Sequence, residues 1–92
     1  MKQETAEAIA LQALGWIAGQ DDLMGTFLGA TGADLSTVRA RAEEPEFLVS
    51  VLEFLTMDDE WVVGFCDAAG VGYDTPMRAR AALPGGAEMH WT

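Results

Sequence analysis

Apolar side chains recur along this chain at helical spacing, and acidic residues, prolines and glycines cut the pattern into six pieces. Thr5 reads as the cap of a first helix that runs to about Ala18, where Gly19 stops it. Asp21 or Asp22 is placed to cap a second, with Leu23, Met24, Phe27 and Leu28 on its apolar side and Gly32 at its end. Asp34 caps a third, from Leu35 to about Glu43, with Leu35, Val38 and Ala42 along one side. Pro45 suits the first turn of a fourth that reaches Leu55, since its missing N–H costs nothing there. Thr56 with Asp59 three residues on resembles a capping box for a fifth, ending at Gly70. Thr75 before Pro76 opens a sixth, and Pro84-Gly85-Gly86 ends it.

The fourth piece differs from the rest. After its proline the polar side chains are Glu46, Ser50 and Glu53, spaced i, i+4 and i+7, so they form one narrow stripe on an otherwise apolar helix. Such a helix belongs in the centre of the fold. The first helix carries Gly15 in its middle, at a cost of about 1 kcal/mol relative to alanine. The reason expected for that glycine is close approach of a neighbouring helix, or of Trp16 and Trp61.

The six pieces also read as one motif written twice. Leu11, Leu14, Asp21, Asp22, Phe27, Ala30, Gly32 and Val38-Arg39-Ala40-Arg41-Ala42 recur 37 to 39 residues later as Leu48, Val51, Asp58, Asp59, Phe65, Ala68, Gly70 and Met77-Arg78-Ala79-Arg80-Ala81. A period of that length implies helical units stacked on a shared core. The expected fold is therefore all-α, a compact bundle of about six short helices arranged as two pseudo-repeated three-helix units. Half of the 92 residues are hydrophobic, enough for one core, so residues 1–86 form a single helical domain and 87–92 a tail.

Charge narrows the partners. Fifteen Asp and Glu against five Lys and Arg give a net charge of −10, which repels phosphate backbones and anionic lipids. Nucleic acid and membrane surfaces are disfavoured, whereas a protein with a basic patch is not. No apolar run reaches the ~20 residues of a membrane span, and the start lacks the apolar stretch of a signal peptide. A cytoplasmic location is the simplest expectation. A lone Cys66 offers neither a disulfide partner nor a zinc cluster.

Little in the chain points to catalysis. His90 is the one histidine, lies in the tail, and has no nucleophile or carboxylate at a diagnostic spacing. The pairs Asp21-Asp22 and Glu43-Glu44 and the run Asp58-Asp59-Glu60 sit at helix starts, where carboxylates cap free N–H groups. Cys66 beside Phe65 reads as buried filler. Neither a metal site nor a cofactor loop is present in the sequence pattern.

Arg39, Arg41, Arg78 and Arg80 occupy matching places in the two copies. Residues two apart on a helix point about 200° apart, so each pair straddles the inward residue. They either neutralise carboxylates at Asp34, Glu43, Glu44 and Asp74, or grip a carboxylate or phosphate of a ligand or partner. The stretch Phe27 to Arg41, with its glycine turn and Ser36-Thr37-Val38-Arg39, also has the look of a helix-turn-helix. The acidic Glu43, Glu44 and Glu46 directly after it count against phosphate contacts. In the tail, Met89 and Trp91 have no internal face assigned to them. Their apolar area favours docking beside Trp16 or Trp61 of the same chain or of a homodimer mate.

Several segments taken together resemble a known family. They are Glu7 to Trp16, Phe27-Leu28 with Thr31-Gly32, Pro45-Glu46-Phe47-Leu48 through Val51 to Leu55, and Ala79-Arg80-Ala81-Ala82-Leu83-Pro84-Gly85-Gly86. This order and spacing is similar to domain-of-unknown-function family 3572. The resemblance implies a small helical protein of alphaproteobacteria with no established activity, and it supplies no functional residue. The leading expectation is a non-catalytic protein-interaction or regulatory module without cofactor or metal. A helix-turn-helix-like transcription accessory comes second and an enzyme third.

Overall fold

The computed structural model describes residues 1–85, and they form six helices: α1 (Gln3–Ala18), α2 (Leu23–Thr31), α3 (Leu35–Arg41), α4 (Pro45–Leu55), α5 (Asp59–Ala69) and α6 (Thr75–Ala82). The chain is an all-α bundle. At its centre lies α4, of which Phe47, Leu48, Val49, Val51, Leu52, Phe54 and Leu55 are all buried. After Pro45, which is partly buried, only the stripe of Glu46, Ser50 and Glu53 escapes that burial, as the sequence pattern requires.

Two helices cover most of α4. α1 buries Ala6, Ala10, Ala13, Leu14 and Ile17 along one face and packs most extensively against α6 and then α4. The three alanines and Ala79 of α6 have no exposed area. Small side chains of this kind let helix backbones approach closely. α6 closes the arrangement by lying against α4 as well, and Leu83 just beyond it is buried. An aromatic chain runs through the remaining interior. Phe27 of α2 meets Phe47 and Phe54 of α4 edge-on, with ring centroids 6.0 and 5.2 Å apart, and Phe54 stacks on Trp61 of α5 at 4.7 Å.

Helix ends follow local chemistry, with departures from the expected caps and ends. α1 starts at Gln3, before Thr5, and its first turn is held by a Gln3 Nε2 hydrogen bond to Glu7 Oε2 at 2.9 Å. Thr56 belongs to the end of α4, where its hydroxyl donates to the carbonyls of Leu52 at 2.8 Å and Glu53 at 3.2 Å. The cap of α5 is Asp58, whose carboxylate accepts the Glu60 N–H at 2.8 Å. α3 stops at Arg41, and Leu35, expected on its inner side with Val38 and Ala42, is 58% exposed. In a seven-residue helix, packing at Val38 leaves the first residue outside the core.

The repeat survives as local signal and not as packing. Its copies share two buried phenylalanines, Phe27 and Phe65, and two left-handed glycine ends, Gly32 at φ 74° and Gly70 at φ 72°. Beyond those points the copies diverge. α6 lies on α1 and α4, whereas its counterpart α3 makes no comparably extensive pair. Val38 is buried while the matching Met77 is exposed, and Ala40 is exposed while the matching Ala79 is buried.

Gly15 has a different reason from the expected one, since a Cβ built there meets nothing within 4 Å. The close approach occurs instead at Gly64 of α5, where a Cβ would lie 2.8 Å from Cζ2 of Trp16. The indole is held there by an edge contact with Phe65 at 6.3 Å.

Four outcomes are expected. Leu52 has no exposed area, so Leu52→Ala should lower unfolding free energy by about 2–5 kcal/mol. The amides of α4 should exchange only near global unfolding; exchange as fast as at the chain ends would contradict a central α4. Gly15→Ala should stabilise by about 0.5–1 kcal/mol in urea unfolding through helix propensity alone. Gly64→Ala should gain less than that or lose stability, because the new methyl displaces the Trp16 ring.

Candidate functional site

The polar stripe of α4 faces a groove of about 630 Å³ whose opposite wall is the α2–α3 turn. That turn is shaped by three local interactions. Gly32 takes the left-handed conformation and returns its N–H to Leu28, at 2.9 Å. Thr31 donates its hydroxyl to the Phe27 carbonyl at 2.9 Å. Asp34 then starts α3, its Oδ1 accepting from the Ser36 hydroxyl at 2.7 Å, the Thr37 N–H at 2.9 Å and the Thr37 hydroxyl at 3.1 Å. These hydrogen bonds, that from Ser36 foremost, hold the Asp34 carboxyl below the ordinary carboxylate range.

The floor of the groove is apolar and its sides are charged. Phe47 and Phe54 form part of the lining from α4, and Met57, 74% exposed, stands at one end. Ser50 donates its hydroxyl to the Phe47 carbonyl at 2.6 Å, so that group is already committed within the helix. Glu46 and Glu53 contribute carboxylates from α4, separated by about 10 Å along the axis. Arg41 contributes the opposing charge from α3, with its Nε 2.8 Å from Glu44 Oε1. The hydrogen bond from Glu44, its charge and that of Glu46 raise the Arg41 pKa further. Arg80 reaches from α6 to Glu53 at 3.6 Å.

The four repeated arginines are therefore not brought together. Arg41 meets Glu44 just before α4, Arg80 meets Glu53 within it, Arg78 pairs with Asp74 at 3.8 Å, and Arg39 is exposed on α3. Of the carboxylates expected to be neutralised, Glu44 and Asp74 are paired, and Glu53 joins them. Asp34 instead serves as a cap, with Ser36 and Thr37 as its donors. Those are two of the side chains a helix-turn-helix would turn toward bases, and α3 is only seven residues long.

Other sequence candidates fall into place individually. Asp58 caps α5, but Asp22, at the cap position of α2, has φ 63° and makes no side-chain cap bond. Glu44 likewise precedes α4 without capping it. Cys66 is buried, and that burial, followed by the charges of Asp67 and Asp74, pushes its thiol pKa up. Among the described residues no three His, Cys, Asp or Glu side chains come close enough to hold a metal ion. No helix among them is long and apolar enough to cross a membrane. Met89, His90 and Trp91 lie outside the described residues.

Sequence reasoning identified the α4 stripe but not the wall that faces it. Nothing in the sequence marked Thr31, Thr37 or Met57 as groove residues, and only the fold places the two threonines across from Glu46 and Glu53, with Met57 at the end of the groove. Met57 was recognisable in one respect, as an apolar residue two positions past the end of α4.

Over residues 3–86 the chain matches the model of a family described as protein of unknown function (DUF3572), and it belongs to that family. No curated protein and no solved structure matches the chain.

The Asp34 cap gives a test of how the groove wall is built. Ser36→Ala should move the Asp34 carboxyl titration, followed by carbon NMR, up toward the ordinary aspartate value. Because the native pKa is depressed, the cap stabilises the fold fully above the unfolded-state value and loses that contribution as pH falls through the native one. An Asp34 titration unchanged by Ser36→Ala would contradict the hydrogen-bond assignment.

Proposed function

We propose that the protein is a non-catalytic interaction module whose groove between α4 and the α2–α3 turn receives a basic, partly apolar segment of a partner protein. The observation that carries this reading is the groove's composition. Met57, 74% exposed, offers apolar contact area above the edges of Phe47 and Phe54, which are otherwise buried in the core, while Glu46 and Glu53 stand along the side of the groove. Arg41 adds positive charge there, but Glu44 already engages it at 2.8 Å. Arg80 in turn lies 3.6 Å from Glu53, so Glu46 is the lining carboxylate outside these ion pairs, and it leaves the mouth acidic, in keeping with a net charge of −10 on the whole chain. A lysine- or arginine-bearing segment gains from that field in both encounter rate and register.

A catalytic reading has less support from the same groove. Ser50 spends its hydroxyl on a backbone carbonyl, and Glu46 and Glu53 are two helical turns apart with no nucleophile placed between them. An anion-gripping role for the arginines is supported less than a cation-accepting role for the groove. Three of them already face carboxylates, Arg41, Arg78 and Arg80.

The test is affinity capture from cells of the native host, comparing the natural chain with Glu46→Lys and Met57→Lys. Both positions are exposed, so neither change should alter the circular dichroism or the thermal midpoint. One basic partner should be retained by the natural chain, lost from both variants, and retained by a control Glu60→Lys at the start of α5. Capture should weaken as salt rises. Equal capture by all four chains would refute docking in this groove.

A further inference from the structure

The turn between α1 and α2 carries a second pocket, of about 390 Å³, that the groove does not include. Trp16 and Trp61 line it together with Asp21, Asp22, Leu23 and Thr26. Two half-buried indoles stand beside two exposed carboxylates, and no lysine or arginine contributes to the lining.

Neither carboxylate is used by the fold in the way the sequence suggests. In α3 and α5 the acidic residue before the helix folds back and caps a backbone N–H. Asp22 occupies the same position before α2 and does not, because its backbone is left-handed at φ 63°. What holds this turn is main-chain chemistry, the Asp22 carbonyl accepting from the Thr26 N–H at 3.0 Å and from the Thr26 hydroxyl at 3.1 Å. Neither Asp21 nor Asp22 takes part in an ion pair among the described residues. The charge of both is thus left facing solvent at the mouth of an aromatic pocket.

The two indoles are fixed by groups outside the pocket. Trp61 stacks on Phe54 at 4.7 Å with the ring planes 25° apart. Trp16 is held edge-on against Phe65 and lies over Gly64, with no room for even a methyl group between. Ring positions set in advance lower the ordering cost of a ligand. Aromatic surface attracts a diffuse positive charge, and nearby carboxylates add to the attraction.

We propose that this pocket binds a single organic cation, a quaternary ammonium or guanidinium group, between Trp16 and Trp61 with Asp21 and Asp22 as counter-charges. A compact hydrated metal ion would not use the indoles, and an anion would be repelled by both aspartates. The site stands independently of the α4 groove, since none of the residues that would hold the cation lines that groove.

The experiment uses the full chain labelled with nitrogen-15 and follows the indole N–H signals of Trp16 and Trp61. Tetramethylammonium chloride represents a free quaternary ammonium, N-acetyl-argininamide represents a side-chain guanidinium, and sodium chloride at matched ionic strength is the control. Saturable shifts at both indoles with either organic cation, absent with sodium chloride, are expected, and the probe that saturates first names the source. Asp21→Asn combined with Asp22→Asn should weaken that binding about tenfold. Asparagine tolerates the left-handed backbone at residue 22, so the turn survives the change. Trp61→Phe, which retains a ring to stack on Phe54, should weaken binding as well. Shifts no different from those in sodium chloride, or undiminished affinity in the double aspartate variant, would overturn the proposal. Glu46→Lys should leave the titration unchanged, which separates failure of this site from failure of the groove.

Discussion

Everything in this bundle depends on covering α4. Seven of its eleven residues are buried apolar side chains, and they point in nearly every direction around the helix. At roughly 1.5–3 kcal/mol for each such side chain taken out of water, no arrangement that leaves α4 on the surface could compete. One neighbouring helix cannot cover that circumference. α1 and α6 take one part of it, and α2 adds Phe27 against Phe47 and Phe54. The polar groups of the remaining stripe keep it open to water, and there the candidate groove forms.

The same constraint explains why the two sequence copies pack differently. A symmetric repeat would bury its first helices equally, but α1 and α4 are unlike in hydrophobicity. α4 is apolar on most sides, while α1 buries one face rich in alanine. Only one helix can occupy the centre. Once α4 is there, α6 is drawn onto both α1 and α4, with Ala79 and Leu83 buried. α3 is left at the edge with Val38 alone buried along its length. The arginine pairs then diverge in role even though their local sequences agree. Arg80 bridges to α4 through Glu53, whereas Arg41 meets Glu44 in the segment that follows its own helix.

Both proposed sites lie where apolar surface and unneutralised acid meet at the margin of this core, and Phe54 links them. Its ring lines the α4 groove and also stacks on Trp61, which lines the indole pocket. The acidic excess therefore has two places where it stands next to aromatic surface.

The helices, their order and the central position of α4 were legible in the sequence because each rests on local information. Residue spacing decides which face is apolar, and the glycines at 32 and 70, the aspartate at 34 and the prolines at 45 and 76 mark ends through backbone chemistry within a few residues. What lay beyond reach involves residues far apart in the chain. That Gly64 and not Gly15 makes room for an indole, that Leu35 faces water, and that Thr31 and Thr37 stand across from Glu46 and Glu53 all depend on which helix lies alongside. The aspartates at 21 and 22 show the boundary most clearly. Composition and position made them caps like Asp34 and Asp58, but the left-handed backbone at Asp22 directed their charge elsewhere. Local sequence determined the elements and the core helix, and tertiary packing decided which surfaces remained for binding, because a site needs two walls and the chain specifies them one at a time.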